Sequence, residues 1–205
     1  MAILLAAHLL ASPLLSLLDS DGVLRLDRAA WEYARSHSSP AALALMRVVS
    51  DIHGTVGILV LTAIGAWGWQ RCGHVDACAR LLLAVPAGML LNVLVKAAIQ
   101  RVRPDWALVD LPRSASFPSG HVAEATVFYG SLALEATALG LRQFRLMVLA
   151  LGAVAMIALV AISRVFLGVH FMSDCAGAAL EGALWLAACF GARPSRAGMA
   201  AAGAR

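Results

Sequence analysis

The sequence predicts an all-α integral membrane protein, a six-helix bundle with a short interfacial helical region between its first two spans. Hydrophobic residues make up 61% of the 205 residues, charged residues only 14%, and the mean hydropathy is +0.81. A soluble globular chain averages about 45–50% apolar and about 25% charged residues. A core of this size cannot bury the apolar excess, which excludes a water-soluble monomer. The same excess excludes a disordered chain.

Six stretches are long and apolar enough for a membrane helix, which needs about 20 mainly apolar residues. They are Ala2–Leu18, Ile52–Gln70, Leu81–Ile99, Val122–Leu141, Leu146–Ile162 and Cys175–Ala192. The first stretch lacks the basic start and the clean cleavage site of a signal peptide, and we therefore interpret it as a span. The chain then forms a single membrane domain, 1–205, of which residues 193–205 are a cytoplasmic tail.

The most polar part of the chain is the segment 19–51, between the first two spans. Asp27 can cap a short helix with apolar residues such as Trp31 on one side and charged residues on another, a pattern that suits the membrane interface. Ser39-Pro40 is expected to end this helix. An ordinary solvated loop is the alternative interpretation of the same segment.

The distribution of arginine predicts the orientation. With six spans, the connections 71–80 and 141–145 lie on the same side as both termini, and together with the tail they hold seven arginines and one acid. The opposite side holds nine basic residues, but it also holds eight acids, and at least three of its cations belong to the chemistry described below. The positive-inside rule therefore places both termini in the cytoplasm.

Composition also bears on partners and cofactors. The net charge of +4 does not indicate a nucleic-acid partner, because the basic residues form no tail or stripe. The four cysteines have no metal-like spacing, so neither a zinc site nor a disulfide scaffold is expected, and we predict no metal and no cofactor. Fifteen of the sixteen basic residues are arginine, and Lys96 is the only lysine.

Ionisable residues next to membrane spans are costly and are functional candidates by default. They cluster here in the segments 96–104, 117–121 and 163–174. Spans four and five separate the loop after span three from the turn before span six, and a chain that crosses twice returns to the side it left. All three segments therefore face one compartment, and a small bundle brings them together.

The spacing within these segments suits a phosphate site. Lys96 and Arg103 are seven residues apart, within about 20° of two full helical turns, so both cations can point the same way. His170 and Asp174 lie four residues apart on one helical face, where a carboxylate can accept the imidazole N–H. Such a carboxylate fixes the tautomer and leaves the other nitrogen free to attack.

A helix N-terminus completes the set. Ser119-Gly120 precedes a helix whose first N–H groups have no partner within the helix, which makes an anion cradle. His121 follows directly. Three cations, a helix N-terminus and two histidines describe a phosphate site with a nucleophile and a proton donor.

The order of these motifs resembles the signature of the type-2 phosphatidic acid phosphatase superfamily, which shares its site with vanadium-dependent haloperoxidases. The signature reads K-x6-R-P, then P-S-G-H, then S-R-x5-H-x3-D. It corresponds here to Lys96, Arg103-Pro104, Pro118-Ser119-Gly120-His121, Ser163-Arg164, His170 and Asp174. The motifs cover less than half of the chain, and the first ninety residues match the family only in general layout.

The resemblance implies metal-free hydrolysis through a phosphohistidine. His170 would be the nucleophile and Asp174 the residue that orients it. His121 would protonate the leaving alkoxide and then activate water for the second step.

The resemblance also implies the residues that bind phosphate. Lys96, Arg103 and Arg164 would hold the phosphoryl oxygens, together with the Ser119 hydroxyl and the Gly120 backbone N–H. Charge stabilisation and positioning supply most of the acceleration in phosphoryl transfer.

The predicted function is therefore dephosphorylation of a membrane lipid phosphate or diphosphate, such as phosphatidic acid, phosphatidylglycerol phosphate or undecaprenyl pyrophosphate. The small size and brief loops resemble a bacterial member, in the inner membrane with its site toward the periplasm. The partners are then the bilayer and the lipid phosphate, and the sequence does not indicate an oligomeric state. A lipid phosphotransferase with the same site, or a transporter, are the alternatives.

Structural roles inside the bundle are expected for the acids of the spans, Glu124, Glu135 and Glu181, although a hydrogen bond of Glu124 near the site is the alternative. The charges of the long loop, Arg101, Asp105 and Arg113, are expected to be solvated, with contact to a lipid headgroup as the alternative.

Overall fold

The computed structural model describes residues 12–111 and 113–191, and within these ranges the chain is helical, with no β-strand. The first helix, α1, covers residues 12–18 of the described part. The others are α2 (Asp21–Ser36), α3 (Pro40–Ile52), α4 (Thr55–Arg71), α5 (Val75–Ile99), α6 (Gly120–Ala138), α7 (Gln143–Phe166) and α8 (Met172–Phe190). Residues 2–11 of the predicted first span and the predicted tail, 193–205, lie outside the described residues.

Helices α4 to α8 overlap the five predicted spans between residues 52 and 192. By length and hydropathy, α5 and α7 are each able to cross a membrane, and α3 and α4 qualify only as a pair bent by 61°. Helices α6 and α8 do not meet this test, because acidic side chains interrupt their apolar sequence. An all-helical fold is therefore confirmed, whereas length and hydropathy recover only some of the six spans.

The acids of α6 are tolerated because this helix lies at the centre of the bundle, packed against α5, α7 and α8, whereas α8 buries only one side, which carries Asp174. Residues 122–128 of α6 are all buried. At Gly182 of α8 the helices approach so closely that an added Cβ would lie 2.7 Å from the Thr126 Cβ. The outer helices instead expose apolar residues, such as Leu83 of α5 (71% exposed) and Val154 of α7 (65% exposed), which need a lipid environment.

The segment between the first two spans is helical rather than a solvated loop, but its boundaries differ from the prediction. The proposed cap at Asp27 is wrong, because α2 begins at Asp21 and buries Asp27 in its middle. Pro40 begins α3, since proline fits the first turn of a helix, and the Ser39 hydroxyl accepts the Ala42 N–H at 3.1 Å.

The loops at one end of the bundle meet as the crossing argument predicts. Backbone hydrogen bonds join Leu108 N–H to Leu167 O at 3.0 Å and Ser119 N–H to Asp174 O at 3.2 Å. Gly168 makes the turn after α7 with a φ of 68°, and an added Cβ there would lie 2.8 Å from the Trp106 carbonyl oxygen. The three charged segments therefore lie at one end of the bundle.

Candidate active site

His170 lies at the centre of these loops, immediately before α8, and is 3% exposed. Its Nδ1 is 3.4 Å from Asp174 Oδ2, and its Nε2 is 3.3 Å from Arg103 Nη1. Burial lowers the pKa of His170 to about 4, so the ring is neutral at physiological pH. With its proton on Nδ1, donated to Asp174, the lone pair of Nε2 faces the cations of the loop.

The Asp174 carboxylate is fully buried in the first turn of α8 and receives several donors. Its Oδ2 accepts the Phe171 backbone N–H at 3.0 Å, closing the helix end, and the Ser116 hydroxyl at 2.5 Å. Its Oδ1 accepts Arg101 Nη1 at 2.7 Å. The carboxylate that faces His170 is therefore held by groups from three different segments.

Arg103 covers the Nε2 side of His170 and is anchored by backbone carbonyls. Its Nε donates to Ser114 O at 2.9 Å and its Nη1 to Val169 O at 2.8 Å. Burial lowers the pKa of Arg103 from its usual value, and a guanidinium remains charged throughout the physiological range. The arrangement places a fixed positive charge where a phosphoryl group would meet the imidazole.

Lys96 points into the same end of the bundle, near the end of α5. Its Nζ donates to Pro118 O at 2.5 Å and to Ala115 O at 3.0 Å, and lies 3.5 Å from Ser116 O. The lysine therefore holds the loop that carries the P-S-G-H motif. Its predicted contact with phosphate requires one of these carbonyl contacts to be exchanged for a phosphoryl oxygen.

The P-S-G-H motif begins α6, with Ser119 as the N-cap residue. The Ser119 side chain is fully buried, and a Cβ on Gly120 would lie 3.4 Å from Asn92 Oδ1. His121 lies in the first turn of α6, with its Nε2 3.7 Å from the position of a Cβ on Gly54, and it interacts electrostatically with His170. The second predicted histidine is therefore part of the same cluster.

Arg164 is buried at the end of α7 and donates through Nη1 to the Ser50 hydroxyl. Within the described part of the chain, its Nε has no hydrogen-bond partner. Arg164 lines a cavity of about 610 Å³ with Arg47 and Asp51. Lys96 and Arg103 line a second cavity, of about 740 Å³.

The structure therefore gathers the eight predicted site residues at one end of the bundle. His170 contacts Asp174 and Arg103, and the Ser119 N–H donates to the Asp174 carbonyl oxygen. The segments around them carry the remaining four: Lys96, Gly120, His121 and Arg164. Among residues 12–111 and 113–191, no group of three or more His, Cys, Asp or Glu side chains could hold a metal ion.

Sequence reasoning missed the supporting residues. The prediction of a solvated Arg101 is wrong, because this side chain is 2% exposed and bonded to Asp174. Ser116 and Ser50 were not singled out, although they bond Asp174 and Arg164. The only available signal was the position of Arg101 between the two motif cations, since serines in loops are too common to be informative.

Two of the acids inside the spans have side-chain partners other than the predicted site residues. Arg80 and Glu135 form a two-point ion pair of 2.6 and 3.0 Å near the opposite end of the bundle. Asn92 Nδ2 donates to Glu181 Oε2 at 2.8 Å. These contacts agree with the expected structural roles of Glu135 and Glu181.

Fold and site together define an all-helical membrane protein with a buried imidazole set among cations that suit a phosphoryl group. Residues 77–197 match the PAP2 superfamily, and the chain belongs to that superfamily. The predicted membership is thereby confirmed. The match begins within α5, so α1 to α4 lie outside it.

Two relatives support this assignment. Phosphatidylglycerophosphatase B of Bacillus subtilis (strain 168) is 41% identical over 99 residues, which are 47% of this chain and 48% of that protein. The chain thus aligns with about half the length of this curated relative. The crystal structure of the first transmembrane PAP2 type phosphatidylglycerolphosphate phosphatase from Bacillus subtilis is similar with a TM-score of 0.77 and 27% identity, covering 96% of this chain and 100% of that one.

Proposed function

We propose that the protein is a lipid phosphate phosphatase of a bacterial inner membrane, which hydrolyses phosphatidylglycerophosphate through a phosphohistidine on His170. The observation that carries this proposal is the environment of one side chain. His170 is neutral and buried, with Nδ1 toward the Asp174 carboxylate and Nε2 toward Arg103. This is the arrangement that a nucleophilic imidazole needs.

In the first step, Nε2 of His170 attacks phosphorus opposite the leaving oxygen. The N–P bond forms as the P–O bond to the glycerol breaks, and His121, which takes up a proton when the anionic substrate binds beside it, gives that proton to the departing alkoxide. Asp174 accepts the Nδ1–H and stabilises the positive charge that develops on the ring. Arg103 exchanges its contact with Nε2 for a phosphoryl oxygen, and Lys96 and Arg164 neutralise the other oxygens.

In the second step, water attacks the phosphohistidine. His121, now neutral, takes a proton from the water, the N–P bond breaks, and the lone pair returns to Nε2 of His170. Inorganic phosphate leaves through the solvent-facing cavities. The Ser119 hydroxyl and the Gly120 N–H hold phosphoryl oxygens in both steps after a small rearrangement at the start of α6. No metal takes part, because the groups around phosphorus are cations.

The substrate follows from the relatives and from the location of the site. Both relatives are named for the phosphatase reaction on phosphatidylglycerophosphate. A site at the ends of membrane helices is accessible to a lipid that diffuses laterally with its tails in the bilayer. We therefore expect phosphatidylglycerophosphate to be preferred over phosphatidic acid and undecaprenyl pyrophosphate.

The activity test uses the purified full-length protein in detergent with these three lipids and measures free phosphate. His170→Ala should abolish release, whereas Glu135→Gln, at the far end of the bundle, should keep at least about a tenth of the activity. A rapid acid-free quench should trap phosphate on His170 of the wild type. Full activity of His170→Ala contradicts the mechanism, and phosphate found on a second lipid identifies a phosphotransferase instead.

Inhibition separates this mechanism from a metal-dependent one. Vanadate should inhibit, because it adopts the five-coordinate geometry of the phosphoryl group in the transition state. A strong chelator should leave the rate unchanged. Loss of activity on chelation and recovery with magnesium would refute the metal-free mechanism.

We also propose six membrane spans, with both termini in the cytoplasm and the site toward the periplasm. The arginine-rich connections at the other end of the bundle support this orientation. Cys72, between α4 and α5, is exposed and offers a natural probe. In intact cells or spheroplasts, an impermeant maleimide should label Val102→Cys, beside the site, but label Cys72 only after permeabilisation. The opposite pattern would invert the topology.

A further inference from the structure

Arg101 is the centre of a buried ionic network that lies behind the proposed nucleophile. Its Nη1 donates to Asp174 Oδ1 at 2.7 Å and to the Ser173 hydroxyl at 2.8 Å. Its guanidinium carbon lies 4.2 Å from the centre of the Phe171 ring. Arg101 therefore contacts the segment 171–174, which carries the carboxylate that faces His170. None of the hydrogen bonds or ring contacts described for Arg101 involves His170.

The other side of this guanidinium is held by the N-terminal part of the chain. Nη2 donates to Leu18 O at 2.8 Å and lies 3.4 Å from Asp27 Oδ2, while Nε donates to Asp19 Oδ1 at 3.0 Å. Asp27 is 1% exposed, whereas the Asp19 side chain is half exposed. The buried pair with Asp27 is therefore the stronger anchor, because exposed ion pairs contribute little.

Asp27 also binds the helix that carries the carboxylate. Its Oδ1 accepts the Ser173 backbone N–H at 2.8 Å, and its Oδ2 accepts the Ser173 hydroxyl at 2.6 Å. Both carboxylate oxygens of Asp27 therefore lie at the N-terminus of α8, where backbone N–H groups have no partner within the helix. Helix α2 thus fixes the first turn of α8 directly through Ser173 and indirectly through Arg101.

We propose that Arg101 and Asp27 are positioning residues, which hold the Asp174 carboxylate ionised and in the plane that receives the Nδ1–H of His170. Asp174 is buried, and its His170 contact of 3.4 Å is long. The carboxylate is thus not fixed by the histidine alone. The 2.7 Å bond from Arg101 to Oδ1 leaves Oδ2 to face Nδ1. This inference rests on the proposed role of His170.

The inference assigns a function to a part of the chain beyond the superfamily match, which begins at residue 77. Asp27 lies fifty residues before that boundary, on α2. Helix α2 is therefore a working part of the catalytic centre. Two cations thus flank the His170–Asp174 pair: Arg103 faces Nε2 of His170, and Arg101 binds the carboxylate behind Nδ1.

The test measures kcat and KM of purified Arg101→Gln, Arg101→Lys and Asp27→Asn on phosphatidylglycerophosphate, with thermal unfolding in the same detergent. The matched control is Arg80→Gln, which breaks the ion pair with the buried Glu135 at the opposite end of the bundle, where the Arg80 side chain is 38% exposed. Arg101→Gln should lower kcat by about 10- to 100-fold with KM changed less than about threefold, as for other residues that orient a reacting ligand. Arg80→Gln should lose comparable thermal stability but keep kcat within about twofold.

The conservative variants separate positioning from folding. Arg101→Lys keeps the charge and should recover part of the lost kcat, and Asp27→Asn should lower kcat by about threefold or more. If Arg101→Gln does not fold, Asp27→Asn decides the outcome. A kcat for Asp27→Asn within twofold of wild type, or an equal fall of kcat in Arg101→Gln and Arg80→Gln, overturns the inference.

The same preparations distinguish this inference from the proposed function. An inactive His170→Ala together with a fully active Arg101→Gln overturns the positioning role alone. Full activity in His170→Ala overturns the nucleophile and the positioning role together. A slower formation of phosphohistidine in Arg101→Gln, at unchanged hydrolysis of the trapped intermediate, supports positioning, because a merely structural defect would not be selective for one step.

Discussion

Gly168→Ala should both destabilise the protein and impair the site. Gly168 has a φ of 68°, a region that costs a side-chain-bearing residue about 1–2 kcal/mol. The new Cβ would lie 2.8 Å from Trp106 O and 3.1 Å from Ala107 Cα, both backbone atoms that cannot rotate away. Overpacking of this kind costs typically about 1–3 kcal/mol, so we expect a total loss of about 2–5 kcal/mol.

The measurement is thermal unfolding in detergent together with kcat. For a chain of this length about 1 kcal/mol corresponds to about 2–4 °C, so Tm should fall by roughly 4–20 °C. The control is Gly152→Ala in α7, where a Cβ meets nothing within 4 Å and should be neutral or stabilising. Because Gly168 sets the path of the chain into His170, kcat should fall as well. A Tm within one degree of wild type would refute the reasoning, since no side chain could have absorbed the clash.

Three further predictions concern protonation, helix packing and the carboxylate. Since burial lowers the pKa of His170 to about 4, the folded state loses stability as the pH falls from about 6.5 toward 4, where the unfolded chain binds the proton first. His170→Gln should flatten that slope, and an unchanged slope argues against a neutral ring. Gly182→Val should clash with Thr126 and lower Tm, and a Tm equal to wild type contradicts the close approach of α6 and α8. Ser116→Ala should lower kcat by roughly tenfold with KM unchanged, because the Asp174 carboxylate loses a charge-assisted hydrogen bond; a raised KM alone would indicate a binding role.

The sequence predicted the meeting of the charged segments because that result depends only on counting crossings. The loop of Arg103 and the turn of His170 are separated by two spans, and the 3.3 Å contact between these side chains lies where this reasoning placed it. His170 and Asp174 do pair, but not on a common helical face as predicted, because His170 precedes α8, which begins at Met172.

The supporting contacts could not be predicted, because they depend on how helices pack. Apart from its place between the two motif cations, nothing in the local sequence distinguishes Arg101, which is buried, from Arg113, which is exposed. The partner of Arg101 on α2 is 74 residues away in the chain, and Asp27 looked like a helix cap because a cap needs only local sequence. Lys96 was expected to bind phosphate, yet its ammonium group contacts three backbone carbonyls of one loop. The path of that loop cannot be predicted from a single sequence.

The number of spans illustrates a related difficulty. Helices α6 and α8 were recognised as spans from their apolar runs, but Glu124 and Asp174 lower their hydropathy to the point where composition alone does not identify them. For α6, burial at the centre of the bundle resolves the conflict, because neighbouring helices surround it. Helix α8 buries the side that carries Asp174 and exposes Leu180 and Leu184 on the other.

The polar interiors of α6 and α8 have a consequence for biogenesis. An acidic residue at the centre of a membrane helix opposes its transfer from the translocon into lipid by about 2.5–3.5 kcal/mol, and the cost is smaller nearer the helix ends. Glu181 lies at the middle of α8, whereas Glu124 and Glu135 lie nearer the ends of α6. The two helices that begin at the candidate active site therefore enter the bilayer less readily than α5 and α7, the strongly apolar helices that precede each of them in the chain, and depend on these to retain them until assembly. Selection for catalysis and selection for efficient insertion act in opposite directions on the same helical turns.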